Sequence, residues 1–261
     1  MSAKNGQDRR ICTVQATRLP SSAGAPVTES VKLAVETEAL LYVDGELVRQ
    51  FRCTPGNLEA LALGHVVSSG MVADVARVAD ITVSSEDPPK IALQTAPDSD
   101  SYGDVTGDAS VSHEHLIIGA DALRQVTARL TAVQSIFPQT GGTHAAGLFG
   151  ADGELAVFAE DVSRSNALDR VIGMALQEGL SLPRHGVALS GRVSSELVGK
   201  CARVGIGIIA AVSAPTSLAV TSAKEAGITL CGFVREGRAT VFSHPWRIHG
   251  LSEESESQDE R

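Results

Sequence analysis

The sequence predicts a layered α/β domain with a smaller β-rich unit, a hairpin and a helix, on its amino-terminal side, so the chain is α/β in its main part and α+β overall. Three observations carry this. Between residues 154 and 234, apolar β-prone runs alternate with amphipathic stretches of helical period. Between residues 32 and 54, two β-prone runs flank Asp44-Gly45, a dipeptide that tolerates positive φ at both corners of a tight hairpin. Finally, 43% of residues are apolar but only 3% aromatic, so the interior must be built from Ala, Val, Leu and Ile.

Residues 1–28 are rich in Ser, Gly, Ala and Pro and are expected to form a loose leader. The β-rich unit follows over residues 29–115. In it, the hairpin leads into Thr54-Pro55-Gly56-Asn57, a turn with helix-start chemistry, and a helix over 58–67 presents Leu58, Leu61, Ala62 and His65 on its apolar face before ending near Gly70. Short strands are expected at 80–84 and 91–95. Asp, Ser, Pro and Gly dominate 86–107, which reads as an exposed loop or linker dividing the chain. The α/β domain occupies residues 116–250, with a helix over 120–136 and then strand-like runs at 154–159, 187–190, 206–212 and 228–234. Helical stretches at 167–177, 194–204 and 216–225 separate them. Strands joined by single helices imply parallel neighbours, and ligands then bind at the carboxyl ends of the strands. The last residues, 251–261, are an acidic stretch expected to be poorly ordered.

Charge and cysteine usage exclude several functions. A net charge of −9 repels a phosphate backbone, and no basic patch offsets it, so nucleic acid is not an expected partner. The four cysteines, Cys12, Cys53, Cys201 and Cys231, form no CxxC, which argues against zinc and against a secreted disulfide framework. No apolar run has the length of a signal peptide or a membrane span, and a reducing cytoplasm is the expected location.

Two strand-to-helix junctions carry the main chemical signal: Ser190-Gly191-Arg192-Val193-Ser194-Ser195 and Val212-Ser213-Ala214-Pro215-Thr216-Ser217. Unpaired N–H groups at a helix start favour an anion, and Arg192 could add a bidentate contact. The alternative for each is simple capping. Before them, Thr140-Gly141-Gly142-Thr143-His144 places a glycine pair beside a titratable ring, suited to close approach by a ligand, although such a His is often a satisfied core residue. The stretch Glu160 to Asp169 closes a strand with two acids and opens a helix at Asn166, either a ligand cluster around Arg164 or a cap with an Arg–carboxylate pair. A Ser/His/Asp set drawn from Ser194 or Ser213, His144 and Asp161 lacks the GxSxG elbow that would support it.

In order along the chain, ETEALLYVDGE, CTPGNLEALALGHVVSSGMV, THAAGLF, EDVSRSNALDRVIG, SGRVSSELVGKCARVGI, AVSAPTSLAV and EAGITLCGFVREGRATVF resemble the motifs of the FdhD family of formate dehydrogenase accessory proteins. The likeness runs from about residue 36 to residue 247. It implies a main domain that is cytidine-deaminase-like without the zinc, a homodimer, and a role in passing sulfur from a cysteine desulfurase to the molybdenum bis(molybdopterin guanine dinucleotide) cofactor of the formate dehydrogenase catalytic subunit. The two guanosine diphosphate arms would match the two junctions, with Arg192, Ser194, Ser195, Ser213 and Thr216 as contacts, and GDP-like fragments would bind there. The resemblance also assigns Phe233, Val234, Arg235, Glu236, Gly237 and Arg238 to the cofactor.

Two departures stand out. Where the family carries a CxxC, this chain has Tyr102-Gly103-Asp104-Val105-Thr106-Gly107-Asp108-Ala109-Ser110, without sulfur, and no hydroxyl can replace a persulfide-forming thiolate. In the family's EDVGRHNA, Ser163 replaces Gly and Ser165 replaces His. Three functions therefore remain: sulfur transfer through another thiol, with Cys53 the candidate substitute; cofactor binding without sulfur transfer; and a diverged enzyme, for which no residue speaks.

Overall fold

The computed structural model describes residues 8–21, 24–96 and 116–250. The Ser110-containing segment that replaces the CxxC and the acidic stretch at 251–261 lie outside them. At the amino-terminal side the structure corrects the expected loose leader. Strand β1 (Ile11–Arg18) pairs antiparallel along its whole length with β2 (Val27–Ala34). The Ser/Gly/Pro-rich composition belongs to the connection, whereas Cys12, Val14 and Ala16 alternate with polar residues at a strand's period of two. A two-stranded ribbon is marginal alone. The ladder extends one step further through Val35 N–H to Arg10 O (2.8 Å), and the ribbon is anchored to the main domain by Lys32 Nζ donating to Gln139 Oε1 (2.7 Å) and Arg10 to Ser135 Oγ (3.4 Å).

The hairpin forms as its turn chemistry dictates: β3 (Thr37–Val43) and β4 (Glu46–Cys53) are joined by Asp44 and Gly45, both at positive φ (49° and 88°). Helix α1 (Leu58–Ser68) follows, then β5 (Val78–Val83) and β6 (Lys90–Thr95), completing a four-stranded sheet of order β4-β3-β6-β5 in which β3 and β6 are parallel. One face of α1 seals Leu41, Phe51, Ile91 and Leu93. Its other face is buried as well, because a second layer of structure lies there.

That layer begins with β7 (Ile118–Gly119), α2 (Ala120–Val133) and the single turn α3 (Phe137–Thr140). Strands β8 (His144–Phe149) and β9 (Leu155–Asp161) lead into α4 (Arg164–Gln177). After them come β10 (Gly186–Leu189), α5 (Ser195–Arg203), β11 (Ile208–Ala211), α6 (Ser217–Glu225), β12 (Thr229–Arg235), β13 (Arg238–Ser243) and β14 (Ile248–His249). Six strands form one mixed sheet, β13-β12-β11-β10-β8-β9. The helix-separated strands β10, β11 and β12 are parallel, as their spacing requires, while β8, β9 and β13 add antiparallel flanks. Helices α4, α5 and α6 pack on one face through Leu168, Ile172, Val198 and Ala219, and α2 covers the other through Leu123, Val126 and Leu130. Among the described residues no helix is long and apolar enough to cross a membrane.

Strand β8 begins at His144, directly after the glycine pair expected to admit a ligand, and no strand was expected there. Its His-Ala-Ala-Gly start has poor strand propensity; burial overrides it, since a Cβ at Gly147 would sit 3.1 Å from both Leu130 and Leu155. Helices α1 and α4 cross in direct backbone contact. A Cβ at Gly64 would lie 1.7 Å from Asp169 O, and one at Gly173 would lie 1.9 Å from Ala60 O, so the two helix backbones touch and only glycine fits at the crossing.

Candidate functional site

Most of the polar stretch from Glu160 to Arg170 is consumed in holding the architecture together. Glu160 accepts N–H bonds from Ser135 (2.6 Å), Ile136 (2.9 Å) and Phe137 (2.8 Å) and the Thr143 hydroxyl (2.9 Å). Burial works against its charge, but these four donors win and hold its carboxyl below the usual range. Asp161 accepts from Thr54 N (3.1 Å), Asn166 Nδ2 (3.1 Å) and Arg170 Nε (2.8 Å). Arg170 spends its remaining donors on the carbonyls of Thr54, Gly56 and Asn57. Asp169 takes Ser68 Oγ (2.7 Å), Lys200 Nζ (2.6 and 2.7 Å) and His65 Nδ1 (3.1 Å).

Two expectations are corrected here. The arginine in the carboxylate pair is Arg170, not Arg164, because α4 starts at Arg164 and its second turn carries Arg170 back to the end of β9. The helix is capped by Ser163, which accepts from Asn166 N (3.5 Å), while the Asn166 amide bridges to Arg52 O (2.8 Å). Ser163, read from the resemblance as standing in a glycine's place, is thus the cap.

Arg164 is left over, with His144 and Arg192, at the carboxyl ends of the sheet strands. A cavity of about 490 Å³ is lined by all three together with Thr143, Gly191 and Ser213. The two junctions lie side by side: Val193 and Pro215 bridge in parallel, with Thr216 N–H donating to Val193 O (2.9 Å). Gly191 permits the arrangement, since a Cβ there would lie 2.6 Å from Arg164 Cδ and 3.2 Å from His144 Nδ1. The junctions differ in what they offer. Thr216 caps α6 itself through Ala219 N (3.2 Å), whereas Ser194 makes no side-chain cap on α5, so the α5 amino terminus keeps its N–H groups for another acceptor.

His144 is half-buried, and burial, then Arg164 and Arg192, push its pKa below the ordinary 6.5. It is therefore neutral at physiological pH. An arriving anion neutralises the arginines' repulsion and raises that pKa, so binding takes up a proton where the ring titrates. Affinity for an anion should rise as pH falls below about 6.5, while the ligand-free fold loses stability over the same window, because the unfolded chain protonates its histidine first. Calorimetric titrations at several pH values, in buffers of different ionisation heat, check this.

A smaller cavity of about 330 Å³ adjoins the first and shares His144 and Arg164; Ser163, Ser165, Ser194 and Glu196 complete its polar lining. The sequence candidates thus divide. His144, Arg164, Arg192, Ser194 and Ser213 meet at one place. Thr140 hydrogen-bonds Ile136 O (2.9 Å), Gly141 ends α3 at φ 65°, and Gly142 packs on Ala34 of the ribbon, so this trio supports the cavity wall from behind. Ser195 opens α5. Phe233, at φ 52°, donates its N–H to Ser213 O (3.3 Å) at the rim of the site, and Val234 is buried beneath α2. Arg235 and Arg238 face each other across the β12–β13 turn, whose Glu236 and Gly237 line a separate groove with Asp121, Arg124 and Arg129. Sequence reasoning missed Gln134 and Phe137, which line the larger cavity, and passed over Glu196 although it sits inside the SGRVSSELVGK motif, because three separate elements deliver the three side chains.

A family model described as FdhD/NarQ family matches residues 34–249. The chain belongs to this family. Among FdhD relatives, the sulfur carrier protein of Anaeromyxobacter dehalogenans strain 2CP-C is 36% identical over 254 residues, covering 83% of this chain and 88% of that one. Its namesake in Nocardia farcinica is 50% identical over 137 residues, 52% of this chain and 49% of that one. A crystal structure from Desulfotalea psychrophila, provisionally described as a formate dehydrogenase accessory protein, superposes with a TM-score of 0.76 at 26% identity, covering 90% of this chain and 99% of that one.

For an FdhD family member the thiols are placed unexpectedly. Cys53, the candidate substitute for the absent pair, is fully buried, and burial pushes its thiol up to about 11. This removes the basis for that assignment: the strand-to-turn junction that seemed accessible is closed over by Asp161 and Arg170. Burial likewise pushes Cys201 and Cys231 up to about 12. Cys12 is exposed, on the ribbon.

Proposed function

We propose that this FdhD family member is an accessory protein for formate dehydrogenase that binds the bis(molybdopterin guanine dinucleotide) cofactor through its phosphates at the strand ends, and that it passes no sulfur through its own cysteines. The observation that carries the reading is the contrast between the two halves of the family's chemistry: the cationic sheet edge is present, with Arg164 and Arg192 beside His144, while three of four thiols are sealed in the core and none lies in residues 54–200. The cofactor is the cargo. Arg164 and Arg192 fit phosphate oxygens by charge and fork geometry, and the uncapped α5 amino terminus adds backbone donors. Thr143 and Ser213 supply neutral hydrogen bonds at the wall. The same reading takes the six-stranded layer as cytidine-deaminase-like without zinc, the protein as a cytoplasmic homodimer, and the formate dehydrogenase catalytic subunit as the partner; a cysteine desulfurase has no accessible thiol pair to load.

Guanosine diphosphate, as a fragment of the cargo, should raise the melting temperature in a concentration-dependent way. Arg192→Ala should weaken its binding by about 1–3 kcal/mol, the range for a charge-assisted hydrogen bond, without changing the ligand-free melting temperature, since Arg192 is exposed. No response to millimolar GDP would sink the reading.

A further inference from the structure

We infer that Glu196, oriented by Ser165, selects the ring system of the ligand in the smaller cavity by accepting hydrogen bonds from a 2-amino-4-oxopyrimidine edge, the donor edge common to guanine and to a pterin. This rests on the reading of the sheet edge as the phosphate site. A ligand whose phosphates lie on Arg164 reaches both cavities, because Arg164 and His144 line each of them. The larger cavity has cations and hydroxyls; the smaller has the only carboxylate of the two linings. A site for an anion alone gains nothing from that carboxylate. A site for an anion linked to a ring with N–H donors needs one.

Glu196 stands in the first turn of α5, and Ser165 Oγ donates to its Oε1 at 2.6 Å. An ionised carboxylate has about four acceptor sites, and one hydroxyl fills one of them. The two oxygens can then take a ring N–H and the adjacent amino N–H side by side, the donor pair that guanine and pterins present and adenine does not. Val162 and Leu197 supply apolar walls for the ring faces, and about 330 Å³ admits one bicyclic heteroaromatic. A neutral hydroxyl thus holds the carboxylate while leaving its charge in place for the ligand.

The test is calorimetric titration of the full chain with GDP, IDP, ADP and 6-hydroxymethylpterin diphosphate, which share the diphosphate and differ in the edge. Wild type should bind GDP and the pterin diphosphate at least about tenfold more tightly than IDP, which lacks the amino group, or ADP, and the tighter of the two identifies the end of the cofactor that occupies the cavity. Glu196→Gln should reduce the preference to about twofold or less, because the amide replaces one acceptor with a donor. Ser165→Ala, which leaves the carboxylate in place and untethered, should lower the preference by about threefold and keeps the test open if Glu196→Gln fails to fold. Equal affinity for GDP and IDP in the wild type, or an unchanged preference in both variants, overturns the inference while GDP binding itself still supports the phosphate site. Failure of every diphosphate to bind overturns both.

Discussion

Gly173→Ala is expected to destabilise the protein by at least about 3 kcal/mol, although it adds a single methyl group to a helix that would otherwise gain from alanine. The added Cβ would lie 1.9 Å from the Ala60 carbonyl oxygen, against backbone that cannot rotate away, so α1 and α4 must separate. That separation would strain the Asp169 contacts to His65 and Ser68 that span the same crossing. Gly64→Ala strikes the same crossing from the other side, with its Cβ 1.7 Å from Asp169 O, and the two losses should be less than additive once the helices have moved. Urea unfolding of the two single variants and the double measures this; losses under about 1 kcal/mol would mean that the helices do not touch as described.

Arg170→Ala should cost about 3–5 kcal/mol, because it strands the fully buried Asp161 carboxylate and leaves three backbone carbonyls of the turn before α1 without their donor. Arg164→Ala, six positions earlier in the same motif, should stay within about 0.5 kcal/mol of wild type in stability while weakening anion binding. One motif thus contains an arginine that holds the fold and an arginine that serves the ligand. Denaturant melts of the two variants, with and without GDP, separate the roles, and interchangeable behaviour would mean that the assignment is wrong.

The sequence exposed that motif without exposing the division of labour within it. Alternating apolar runs made the parallel core β10-β11-β12 legible, and Asp44-Gly45 made the hairpin legible, because both depend on local period and turn chemistry. Strand β8 was not legible: Ala145, Ala146 and Gly147 form a strand only because α2 and the neighbouring strands bury them. The ribbon was hidden by averaging, since the Ser/Gly/Pro-rich composition of the connection was spread over the two paired segments around it. For the site, the two junctions and His144 could be read from sequence, because helix-start chemistry is local. The partner of Asp161 could not, since choosing between Arg164 and Arg170 requires knowing how a helix leaves its strand. Nor could Glu196, which meets Ser165 only through the packing of α5 beside α4.

The claim that this protein holds a cofactor but relays no sulfur is tested most directly by mass spectrometry of the intact chain after incubation with a cysteine desulfurase and cysteine, before and after adding the cofactor and the client formate dehydrogenase subunit. Three thiols are buried and protonated, which leaves the exposed Cys12 on the ribbon as the one thiol open to a sulfur donor. The expected result is no persulfide on Cys53, Cys201 or Cys231, and any adduct on Cys12 unchanged when cofactor and client are supplied. A stoichiometric persulfide on any of the four that disappears on adding them would contradict the account.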